Sequence, residues 1–205
     1  MYVSQSNIEE AKKLIQSRGG VIRTSEFLNA GFHQRVLYKM RDAGIVEQIE
    51  RGLYRLMESE EMSNPDLIIV AKKVPEARIC LISALSYHEL TDEIPHSVHI
   101  ALPKTSRDPV LNYPPLSVYR FSQETLEHGV QHQTIDGVVV NVFNPAKTIA
   151  DCFKFRNQIG LSVAIEALKR GITENKASYK DIRKYAALCR VERVIQPYME
   201  TLAHG

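Results

Sequence analysis

The sequence predicts an α+β chain in two parts, a small trihelical unit closed by a β-hairpin and then a larger mixed α/β domain. Three observations predict it. Apolar residues recur at helical spacing in three stretches between residues 8 and 43. Two β-rich runs flank a glycine turn between 45 and 56. Beyond residue 97, alternating β-branched runs give way after Asn144-Pro145 to helical periodicity that continues to the end.

Asn7 is placed to cap a first helix, in which Ile8, Ala11, Leu14 and Ile15 share a face and which Gly19-Gly20 stop. Val21-Ile22 reads as a short extended link. Thr24 is placed to cap a second, short helix with Phe27 and Leu28 inward, ended by Asn29-Ala30-Gly31. A third helix follows from His33 to about Ala43 and ends at Gly44. At about 100° per residue Val36, Leu37, Met40 and Ala43 fall on one side, and Gln34, Arg35, Tyr38 and Asp42 on the other, with Lys39 and Arg41 at the flanks. Ile45 to Ile49 and Leu53 to Leu56 then form a hairpin around Glu50-Arg51-Gly52. Three helices followed by a hairpin is the order of a winged helix-turn-helix, here over residues 1–57.

The acidic, polar stretch 58–66 reads as a linker, and residues 67–205 as the second domain. Pro65 suits the first position of a helix that stops near Val74-Pro75. A further helix is expected from Leu81 to Leu90, strands at Ser97–Leu102 and Leu116–Phe121, and a Pro-rich loop between those strands. Val130–Ile135 and Val138–Phe143 flank Asp136-Gly137, a strong two-residue hairpin signal. Helices are expected at Ala146–Phe155, Leu161–Arg170, Tyr179–Arg190 and Val191–Ala203.

Composition sets the outer limits. With 205 residues, 44% hydrophobic and 24% charged, the chain can bury a core without disulfides or metals. It has no apolar run near the ~20 residues of a membrane helix, and the start lacks the basic and apolar regions of a secretory signal. Cys80, Cys152 and Cys189 are far apart in apolar segments, as expected of buried reduced thiols in a cytoplasmic protein. Net charge is +2, unevenly spread. Residues 1–56 hold nine Lys/Arg against six Asp/Glu, residues 57–153 seven against thirteen, and residues 154–205 ten against five. Basic ends around an acidic middle suit contact with a polyanion, although Lys/Arg-rich C-terminal helices also serve solubility alone.

A helix that reads double-stranded DNA must present donors to base edges and phosphates in the major groove. The outward face of the third helix offers Gln34, Arg35, Tyr38 and Lys39. Its N-terminal end, with His33, Gln34 and Arg35, is the end expected against bases. Asp42 would repel phosphate but lies at the far end. Arg23, Thr24 and Ser25 open the second helix, where free N–H groups and hydroxyls suit a phosphate. In the wing, Arg51 at the turn and Arg55 beyond it are candidates for the backbone or minor groove, whereas Tyr54 and Leu56 should pack inward. A protein-binding winged helix with solvated charges is the alternative.

The stretch Gly31…Arg35-Val36-Leu37-Tyr38…Asp42-Ala43-Gly44-Ile45-Val46…Ile49-Glu50-Arg51-Gly52-Leu53-Tyr54-Arg55-Leu56 resembles the N-terminal domain of the AbiEi antitoxins of bacterial type IV toxin–antitoxin systems. Leu81 to Pro95, the strand Val98 to Pro103, Asn144 to Cys152, and Asn157 to Leu161 with Ala164 to Leu168 are similar to that family's second domain in order and spacing. The resemblance implies a winged helix that binds inverted repeats in the operator of its own promoter and represses it. It also implies a second domain that supports cooperative binding and counters a nucleotidyltransferase-like toxin without a stable toxin complex, in systems that act in phage abortive infection.

Enzyme chemistry is not expected, and neither a cofactor nor a metal. The chain has no Gly-rich phosphate loop, no Gly-x-Ser-x-Gly elbow and no Cys-x-x-Cys pair. His96 and His99 are three apart, and His128 and His132 four apart, so the second pair could share a helical face, but no nearby Cys completes a zinc set. Asp151 with Lys154, and Glu166 with Lys169, read as local helical salt bridges. Lys180, Arg183 and Lys184 form one helical face, a second basic surface open to DNA, RNA or an acidic partner. The rival function is a stand-alone winged-helix regulator whose second domain senses a ligand or dimerises.

Overall fold

The computed structural model describes residues 4–58 and 62–204. The chain is α+β and divides into two compact units, Met1–Pro75 with Leu111–Pro114 and Gln133–Val140, and Glu76–Val110 with Pro115–His132 and Asn141–Gly205. This division differs from the sequence reading. The helix after Pro65 goes with the N-terminal helices and hairpin, as do a piece of the Pro-rich loop and the tip of the second hairpin. Residues 59–61 of the expected linker lie outside the described residues.

The first unit runs α1 (Gln5–Ser17), β1 (Val21–Arg23), α2 (Thr24–Asn29), α3 (Gln34–Asp42), β2 (Val46–Glu50), β3 (Leu53–Leu56) and α4 (Pro65–Lys73). Its core joins Ile8, Ala11 and Ile15 of α1 to Phe27, to Val36, Leu37 and Met40 of α3, and to Val46, Tyr54 and Leu56 of the hairpin. Ser4, not Asn7, caps α1, because its hydroxyl accepts the Asn7 N–H at 3.2 Å and the helix has already begun at Gln5. The expected link at Val21-Ile22 is a strand, since β1 pairs antiparallel with β3 and the sheet order is β1-β3-β2. Arg23, not Thr24, is the N-cap residue of α2. Leu28 and Ala43, expected inside, are exposed, because α2 ends at Asn29 and α3 at Asp42.

A five-stranded sheet, whose β7–β8 tip is counted with the first unit, has the order β6-β5-β4-β8-β7, with β4 Arg78–Ile79, β5 Val98–Pro103, β6 Leu116–Phe121, β7 Val130–Ile135 and β8 Val138–Phe143. β5 and β6 run parallel, as do β4 and β8, while β4 and β5 run antiparallel. The helices are α5 (Leu81–Tyr87), α6 (Gln123–Glu127), α7 (Pro145–Lys154), α8 (Arg156–Ile159), α9 (Leu161–Thr173), α10 (Tyr179–Cys189) and α11 (Glu192–His204). α7 is the hub: every residue from Ala146 to Phe153 is buried, and α5, α9 and α10 pack on it. The turn Asp136-Gly137 has φ of +47° and +77°, both in the left-handed region that a two-residue hairpin turn requires. His128 caps the end of α6 and His132 lies in β7, so they share no helical face. The three cysteines are buried free thiols, and among the described residues no helix is long and apolar enough to cross a membrane.

Candidate nucleic-acid interface

α3 stands on a capped, apolar base. His33 precedes it in extended conformation, and its Nδ1 accepts the Arg35 N–H at 3.1 Å, one of the donors a helix start leaves unpaired. Val36, Leu37 and Met40 are buried, which turns Arg35, Tyr38 and Lys39 to the outside. Gln34 Nε2 donates to the Tyr38 hydroxyl at 2.6 Å, so these two side chains form one polar surface. Arg41 lies over the Tyr38 ring, 5.3 Å from its centroid, and pairs with Asp42 at 2.9 Å. The hydrogen bond and charge of Asp42 hold the Arg41 guanidinium above its usual range.

His33 therefore acts first as a cap. Gln34, Arg35, Tyr38 and Lys39 are brought onto one face of the helix.

The start of α2 is arranged differently. The Arg23 N–H donates to Glu26 Oε2 at 2.9 Å, and the same carboxylate lies 3.6 Å from Lys72 of α4. Burial lowers the Lys72 ammonium despite Glu26 beside it. Thr24 donates twice to Gly52 O, from its N–H at 2.9 Å and its hydroxyl at 3.4 Å. Glu26 and Gly52 thus occupy donors a phosphate would use, and Ser25 is left exposed at this end.

The wing is a short hairpin with an irregular register between Gln48 and Glu50. Tyr54 and Leu56 are buried as their alternation requires, and burial raises the Tyr54 hydroxyl above the ordinary phenol range. Arg55 is half-buried and pairs across the strands with Glu47 at 2.5 Å. Arg51 is exposed at the turn, and among the described residues its guanidinium has no ion-pair partner. Two lysines of α4 that sequence reasoning left aside touch this region. Lys72 faces α2, and Lys73 Nζ donates to Arg51 O at 2.5 Å. Their only sequence signal is the basic last turn of α4.

In the second unit, Lys180 and Arg183 border an open groove of about 710 Å3 between α10 and α11, whose other wall carries Glu192 and Glu200. Lys184 is exposed beside the Tyr185 ring. Arg170 and Lys176, basic positions nearby in sequence, are held by Asp92 and Glu89. Among the described residues no group of three His, Cys, Asp or Glu side chains is placed to hold a metal ion.

Residues 9–56 match the model of a family described as transcriptional regulator, AbiEi antitoxin. The matched segment runs from within α1 to the end of β3, and so supports a regulator that works on DNA. No curated protein matches the chain. Among solved structures, the chain is similar to the RV2827C protein from Mycobacterium tuberculosis, with a TM-score of 0.60 and 14% identity over 91% of this chain and 72% of that one. At that identity the likeness shows the fold alone.

Proposed function

We propose that this protein is a DNA-binding antitoxin that represses its own operon through the winged helix and counters a nucleotidyltransferase-like toxin through its second unit. The observation that carries the proposal is a coincidence of two findings. The segment matching AbiEi regulators is the segment that folds as α1 to β3, and its exposed face gathers Gln34, Arg35, Tyr38 and Lys39 with Arg51 at the wing. Arg35, near the N-terminal end of α3, reads a base edge, and Arg51 follows the backbone or minor groove. The protein works by binding and not by catalysis, in the cytoplasm, on inverted repeats of double-stranded DNA, and it forms no stable complex with the toxin.

Two arms test this. Footprinting on DNA upstream of its own gene should show a protected inverted repeat, and Arg35→Ala should weaken that binding by about 1–3 kcal/mol. An unchanged titration removes Arg35 from base reading, and no protection at all removes autoregulation. In the second arm the neighbouring gene is expressed in a heterologous bacterium with and without this protein. Growth arrest relieved by the protein supports the antitoxin role. A harmless neighbour leaves a stand-alone regulator, for which the α10–α11 groove, within the size range of small-molecule sites, is the place for a ligand.

A further inference from the structure

The wing turn is held from outside its own hairpin at three points. Gly52 O takes two donors from Thr24 at the start of α2. Arg51 O accepts from Lys73 Nζ, at the last residue of α4. The Glu50 carboxylate, which already accepts the Arg51 N–H at 2.9 Å, also accepts from Asn112 Nδ2 at 3.1 Å. Asn112 belongs to Leu111–Pro114, the piece of the Pro-rich loop that joins the first unit. Three consecutive residues, Glu50, Arg51 and Gly52, are therefore each anchored by a different element, while among the described residues the exposed Arg51 guanidinium has no ion-pair partner.

A two-residue turn on a short hairpin has few contacts of its own, and such tips sit at the low end of local stability. A cation that must reach a phosphate or a minor groove gains from being presented in one position, because the ordering is then complete before binding. From this arrangement we propose that Lys73 and Asn112 are positioning residues for the wing. Each hydrogen-bonds the turn so that Arg51 is presented to DNA in one orientation. The inference rests on the DNA-binding reading above. Asn112 makes it sharp, because a neutral side chain adds no charge of its own to the salt dependence of binding, whereas a misplaced Arg51 removes one phosphate contact.

The probe is a duplex selected from a random-sequence library by the wild-type full-length chain. Its affinity is titrated at several salt concentrations for Lys73→Met, Asn112→Ala, Arg51→Ala and the combinations, with thermal melts run alongside. The expected result is a loss of about fivefold for Lys73→Met and for Asn112→Ala, the worth of one net hydrogen bond. Both should lower the salt slope by about one ion, as Arg51→Ala does. In the Arg51→Ala background both should change affinity less than about twofold, since the residue they position is gone. Lys73→Arg, which keeps the donor, should restore binding. Losses that stay the same size in the Arg51→Ala background overturn the proposal, because Lys73 would then be contacting phosphate directly. So would wild-type affinity in both single variants. If the wild-type chain selects no duplex, the DNA-binding reading itself fails, an outcome distinct from both.

Discussion

Lys147 and Asp151 lie one helical turn apart on α7, and both are fully buried. The pair is hydrogen-bonded, the Cys189 thiol donates to the other carboxylate oxygen at 3.1 Å, and the Lys147 ammonium lies 4.2 Å from the Phe143 ring centroid. Burial pushes the Asp151 carboxyl above its ordinary range, with Lys147 pulling it back, and pushes the Cys189 thiol up to about 12. The buried thiol serves here as a hydrogen-bond donor to Asp151. Removing one charge of a buried pair strands the other, which costs about 3–5 kcal/mol, whereas replacing both by apolar groups of similar size is often neutral. Asp151→Asn should thus lower unfolding free energy by that amount in a denaturant titration, and the double change Lys147→Met with Asp151→Leu should recover most of it. A loss below about 1 kcal/mol for Asp151→Asn would show that water reaches the site. Sequence spacing suggested Lys154 as the partner of Asp151 and Lys169 as that of Glu166, but the structure pairs them with Lys147 and Arg170. Neighbours at three and four residues are equally near on an isolated helix, and only the packing around α7 and α9 separates them.

At the scale of elements, the turn between α1 and β1 is covered by another turn of the same unit. Gly19 has φ +79°, and a Cβ there would lie 2.5 Å from Asp136 O and 2.7 Å from the Gly137 carbonyl carbon. A Cβ at Gly31, with φ +90°, meets nothing within 4 Å among the described residues. Gly31→Ala should therefore cost only the left-handed penalty, about 1–2 kcal/mol, and Gly19→Ala about 1–3 kcal/mol beyond it, since two backbones must part. Equal melting shifts for the two variants would mean that the turns do not rest on each other. Elements with strong local signals were legible in the sequence. α3 and the wing followed from period and glycine turn, and β7 and β8 from Asp136-Gly137. The elements it missed are β1, β4, α6 and α8, of two to five residues each, too short for periodicity to register. β1 and β4 exist because a partner strand takes their backbone groups, which is tertiary information. The same holds at the candidate interface. The face of α3 was readable from its own spacing, and the cap role of His33 is equally local, two residues from Arg35, whereas the Glu47 partner of Arg55 lies across the hairpin and the hold of Lys73 on the wing comes from α4.

For the whole molecule, the consequence is that the unit carrying the candidate DNA interface is not one stretch of sequence. Leu111–Pro114 and Gln133–Val140 return to the first unit from the middle of the chain, where Asn112 bonds Glu50, Asp136 accepts from Ser63, and the Asp136-Gly137 turn covers Gly19. A fragment ending at residue 75 keeps all the candidate base-reading residues and α4, but loses these three supports. It should bind the selected duplex about five- to tenfold more weakly than the full chain, through a wing that is no longer held and a unit that melts earlier. A competing cause predicts the same loss, namely a second contact between DNA and Lys180, Arg183 and Lys184. The two causes part on one comparison in the full-length chain. Charge reversal of those three residues to Glu would reproduce the fragment's weakness, with a smaller salt slope, if the second surface touched DNA. Asn112→Ala would reproduce part of it, with the slope falling only by the contact Arg51 makes, if the wing is what the fragment loses. A fragment that binds as tightly as the full chain would rule out both, and would make residues 1–75 a self-sufficient reader to which the rest of the chain adds a separate function.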